Sequence, residues 1–115
     1  MTAFLAAVDR LADRLRALPQ SRLRQGPAAE ALALARALAS RAQLLESPDT
    51  EPRTLPDAGV FVVADQLAVA GHDLAHALSG ATPAGARRPA TPEPVRAQAA
   101  EARALVESVR VRCGL

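Results

Sequence analysis

The sequence predicts an all-α protein: an antiparallel four-helix bundle of up-down-up-down order with an alanine-rich, close-packed core. Three observations carry that prediction. First, the nine prolines cluster at 19 and 27, at 48, 52 and 56, and at 83, 89, 92 and 94, leaving four long segments free of proline. Proline inside a helix removes a hydrogen bond and clashes with the preceding turn, so helices fit only between the clusters. Second, those segments are rich in Ala, Leu, Arg and Glu, the strong helix formers. Third, apolar residues recur within each at steps of three and four, the seam of a bundle helix. The one strand-like run, Val60-Phe61-Val62-Val63, sits where the helical spacing continues through it.

The first helix is expected over 2–18, capped by Thr2, with a seam of Met1, Phe4, Val8, Leu11, Leu15 and Leu18. The second is expected over 27–47, with Pro27 in its first turn and Ala31, Ala35, Leu38, Ala42 and Leu45 inward. Between them, Ser21 to Gln25 can form one helical turn. The third is expected over 57–79, capped by Asp57, with a seam of Val60, Val63, Leu67, Ala70, Leu74 and Ala77. A strip of Ala64, Ala68, Gly71 and Ala75 gives this helix a flank for close packing. The fourth, over 92–113, opens at Thr91-Pro92-Glu93 and turns Val95, Ala99, Ala102, Val106, Val109 and Cys113 inward. Residues 47–57 read as a stiff, proline-rich turn, and 80–91 as a flexible linker without an apolar anchor.

A chain of 115 residues suits one domain spanning 1–115. Its 28 Ala against 16 Leu, 9 Val and 2 Phe imply a thin core. A buried Leu contributes about 1.5–3 kcal/mol and an Ala far less, so such a bundle gains from a partner. A homodimer is the expected form. The 14 Arg with no Lys or Ile point to a GC-rich bacterial genome as the source of the arginine excess. Cys113 is the only cysteine, so no disulfide framework arises, and a reducing cytoplasm fits. The N-terminus lacks the basic segment of a secretory signal, and no stretch is long enough to span a bilayer. No membrane association is expected.

The net charge of +2 divides unevenly: 1–48 carries +3, 49–79 carries −4 and 80–115 carries +3. The basic ends supply candidate phosphate contacts at Arg10, Arg14, Arg22, Arg24, Arg87 and Arg88, which make a nucleic-acid-associated protein one alternative reading. Without Trp or Tyr there is little to stack on bases.

His72 and His76 lie one turn apart, the spacing of half a metal site, and are candidate ligands for a metal-binding alternative. No other His exists, and no Glu follows His72 as the zinc protease motif requires. The string His72-Asp73-Leu74 resembles the start of the His-x-Leu-Lys-Gly signature of histidine phosphotransfer domains, which implies a phosphoryl-accepting His72. Ala75 and His76 stand where that signature has its Lys and Gly, which removes the cation that would steady the phosphoryl group. The serines lack an elbow motif and no glycine-rich phosphate loop is present, so neither an enzyme nor a cofactor is expected.

The outer side of the third helix is the expected interface. Asp65, Val69, His72 and His76 stack along one line opposite the seam, flanked by Phe61 and Val62. Large apolar residues where a surface helix carries charge point to a partner chain, and the preferred reading is a self-associating interaction or scaffold module.

Overall fold

The computed structural model describes residues 1–80 and 93–115. They form four long helices and one single-turn helix: α1 (Thr2–Ala17), α2 (Gln20–Leu23), α3 (Pro27–Glu46), α4 (Val63–Gly80) and α5 (Glu93–Arg112). Among the described residues there is no strand. The all-α class and the four proline-bounded helices follow the sequence pattern. The expected linker falls outside the described residues apart from Gly80, which ends α4, as do Thr91 and Pro92 at the expected start of the last helix.

The seams close on one hydrophobic cluster. Phe4, Val8, Leu11 and Leu15 of α1 meet Leu34 and Leu38 of α3, Leu67, Leu74 and Leu78 of α4, and Val95, Val106 and Val109 of α5, all buried. Nine alanines, among them Ala31, Ala35, Ala70 and Ala102, are buried with them. They let the backbones come close. Gly71 marks the tightest approach: a Cβ there would sit 2.6 Å from Val8 Cγ1, so only glycine lets α1 and α4 meet at this level.

The helix directions correct the expected up-down-up-down order. Asp9 meets His72 and Arg16 meets Asp65, so α1 and α4 are antiparallel. Arg41 meets Glu101 and Arg112 meets Glu30, so α3 and α5 are antiparallel too. Arg14 at the end of α1 donates to the carbonyl of Leu115, just past the end of α5, so α1 and α5 run the same way. The order is up, down, down, up, with α3 and α4 parallel neighbours sharing the most extensive contact of any pair.

The segment 47–62 explains this. Its sixteen residues can reach about 50 Å when extended, against about 30 Å for a helix of α3's length. Prolines 48, 52 and 56 favour extended backbone, and the segment returns along α3 instead of turning back at once. Gln43 clamps it, donating to the Arg53 carbonyl (3.1 Å) and accepting from the Arg53 amide (2.7 Å). Further along, Arg36 Nε donates to the Leu55 carbonyl (2.8 Å) and Gln66 Nε2 to the Pro56 carbonyl (3.0 Å).

Three local expectations change with it. The third long helix starts at Val63, not at 57: Gly59 takes φ +96°, and residues 60–62 form a turn ahead of the helix. Asp57 caps nothing; its carboxylate accepts the Gly59 amide in that turn. Thr2 lies inside α1, whose N-cap is Met1 with no side-chain hydrogen bond.

Candidate functional site

Two surfaces gather the residues singled out from sequence. The first is the outside of α4. Phe61, Val62 and Val69 are exposed there, at 78%, 40% and 60%. Phe61 and Val62 precede the helix instead of riding on it, and they diverge. Val62 and Val69 line a groove of about 280 Å³ between α3 and α4, completed by Leu55, Ala39 and Ala70 and edged by Asp65 and Asp73. Phe61 turns the other way, toward Leu18 and Leu23 beside the α1–α2 junction. Gln66 also borders the groove, and its Oε1 is buried without a hydrogen-bond partner among the described residues.

Asp65 and His72 lean toward α1. Arg16 donates to Asp65 at 2.7 Å and to Asp13 at 2.9 Å, and the Asp65 hydrogen bond is the main reason its guanidinium is held more firmly charged than usual. His72 Nε2 donates to Asp9 Oδ1 at 2.9 Å. His76 stays exposed and makes no hydrogen bond among the described residues. The two imidazoles are thus unequal, one engaged across the helix interface and one open. Among the described residues no third His, Cys, Asp or Glu joins them in a group able to hold a metal ion.

The second surface is basic, and the structure divides the expected phosphate contacts. Arg10 and Arg14 face a groove of about 250 Å³ between α1 and α5, where they meet Arg103, Glu107 and Arg110. Arg22 goes instead to the end of α5, beside Gly114, where the carbonyl end of a helix attracts a cation. Arg24 lines a separate cleft with Asp57 and Arg36. Arg87 and Arg88 lie outside the described residues. Arg110 grips Glu107 through two hydrogen bonds, 3.0 and 2.5 Å, and this grip, aided by the charges of Arg103 and Arg10, holds the Glu107 carboxyl below the usual carboxylate range. Cys113 is buried at the end of α5, which pushes its thiol above the usual range.

The chain matches no protein-family model, no curated protein and no solved structure. Arg103 and Arg110 were missed in sequence because they lie about ninety residues from Arg10 and Arg14. Only the parallel course of α1 and α5 unites them, and no local signal encodes it. Among the described residues, no helix is long and apolar enough to cross a membrane.

Proposed function

We propose that this protein is a non-enzymatic interaction module that pairs with a second copy of itself through the outer face of α4. One observation carries the reading: Val62 and Val69 stand exposed on the rim of an apolar groove, on a helix already buried on two flanks. The spacing along that face favours a second copy over an unrelated partner. In an antiparallel two-fold pairing of α4 with its copy, centred between Val69 and His72, Asp65 comes opposite the partner's His76. Val69 then comes opposite the partner's His72. The line of Asp65, Val69, His72 and His76 is therefore complementary to itself, as a two-fold interface requires. The Asp65 carboxylate then stands as a hydrogen-bond acceptor for the partner's His76, and the two Val69 side chains flank the two-fold axis, each against the partner's His72.

The alanine-rich core adds a reason. With few large side chains buried inside one copy, apolar area covered between copies contributes a larger share of stability. Sedimentation velocity at low micromolar concentration tests the reading: the protein runs as a dimer, and Val69→Asp and Val62→Asp shift it to monomer. A monomer throughout, or a dimer indifferent to both substitutions, contradicts it.

A further inference from the structure

We infer that the groove between α1 and α5 binds a compact polyphosphate group. Four guanidinium groups face it from two walls, Arg10 and Arg14 on α1, Arg103 and Arg110 on α5, against the single carboxylate of Glu107. Arg10 and Arg14 are one turn apart, about 6 Å along the axis, and Arg103 and Arg110 two turns, about 10 Å. That footprint matches a chain of two or three phosphates.

Internal hydrogen-bond partners engage only two of these four guanidinium groups within the groove or at its end. Arg110 is held by Glu107, and Arg14 donates to the Leu115 carbonyl. Arg10 reaches only the Ala6 carbonyl, through Nε at 3.5 Å. Arg103 makes no hydrogen bond or ion pair among the described residues. Arg10 and Arg103, on opposite walls, thus form no ion pair of their own among the described residues, and four guanidinium groups share the one carboxylate of Glu107, a crowding of like charge that an incoming anion relieves. The planar fork of each guanidinium suits a phosphate oxygen pair.

A compact anion fits better than a nucleic-acid strand. Neither Phe4, buried in the core, nor Phe61 lies in this groove to stack a base. The acidic segment 49–79, at −4, repels a long polyanion that extends beyond the groove.

Titration calorimetry with inorganic tripolyphosphate tests the site, with sodium sulfate at equal ionic strength as the background. The expected result is one tripolyphosphate per chain. The double variant Arg10→Gln with Arg103→Gln weakens it about a hundredfold, about tenfold for each charged hydrogen-bonding group removed. Arg24→Gln with Arg53→Gln removes the same charge elsewhere and changes affinity less than about twofold. Circular dichroism of both variants confirms that these exposed substitutions leave the helices intact. A parallel titration with a nucleoside triphosphate separates the sources: equal affinity marks a free polyphosphate ligand, tighter binding a nucleotide, and either supports the site. Absence of binding, or equal losses in the two double variants, overturns it. So does tighter, steeply salt-dependent binding to a random DNA duplex, which would make the surface a nucleic-acid contact.

Discussion

Replacing Gly71 with alanine tests the contact on which the α1–α4 pairing depends. The new Cβ falls 2.6 Å from Val8 Cγ1, 2.9 Å from Cγ2 and 3.2 Å from Val8 Cβ. Non-bonded carbons rest about 3.5–4.0 Å apart, so the methyl overlaps Val8 by most of an ångström. Val8 is fully buried, and valine in a helix keeps one χ1 rotamer about 90% of the time, so it does not swing aside. The helices must separate, which loosens the contacts of Leu67 and Leu74 with α1. Overpacking of this kind costs about 1–3 kcal/mol, and the better helix propensity of alanine offsets about 0.8–1.0 kcal/mol of it. The expected balance is a loss of up to about 2 kcal/mol. Urea unfolding followed by far-ultraviolet circular dichroism, at fixed protein concentration, measures it. In a Val8→Ala background both γ carbons are gone and only the 3.2 Å approach to the residue-8 Cβ remains, which a few tenths of an ångström relieve, so Gly71→Ala then stabilises by up to about 1 kcal/mol. The sign reversal is the signature. Equal stabilisation by Gly71→Ala in both backgrounds would refute the close approach and the helix arrangement built on it.

Three further outcomes follow from the same contacts. Gln43→Leu removes both hydrogen bonds to Arg53, so it destabilises by about 1–3 kcal/mol and speeds hydrogen exchange at the Arg53 amide more than in the core of α4. Arg16→Ala breaks exposed pairs with Asp65 and Asp13, so its effect on stability stays below about 1 kcal/mol and shrinks in salt. Burial raises the Cys113 thiol, so it reacts slowly with a thiol reagent at pH 8 in the folded protein and rapidly in urea. The linkage has a definite sign. Because the unfolded thiol ionises first, the contribution of Cys113 to stability is intact below about pH 8.5 and falls as pH rises beyond it.

Proline positions and heptad-like seams are local properties, and they placed α1, α3 and α5 to within a residue or two. The start of α4 and the direction of the bundle were not legible in that way. Val60 fits a helical seam as well as it fits the half-buried tail of an extended segment, so periodicity alone extended the helix too far. What separates the two is the anchoring of 47–62 by Gln43, Arg36 and Gln66, side-chain to backbone bonds that no local pattern announces. The candidate sites divide similarly. Val62, Val69 and the histidine pair were visible as a face that carries too little charge, whereas the partners that complete the sites come from distant turns. Asp9 meets His72 across 63 residues. Arg103 and Arg110 join Arg10 and Arg14 only because α1 and α5 run parallel.

The proposed pairing of α4 with its own copy is tested most directly by mixed-cysteine cross-linking in a Cys113→Ala background. The two-fold register sets residue 65 opposite residue 76 of the partner and leaves the two copies of residue 65 about 16 Å apart along the helix. A disulfide needs Cα atoms within about 7 Å. Mild oxidation of an equimolar mixture of Asp65→Cys and His76→Cys should therefore give the mixed cross-linked dimer, while Asp65→Cys alone should remain uncoupled. Cross-linking of Asp65→Cys to itself at an equal rate, or no cross-linked product from the mixture, would contradict the register and the interface.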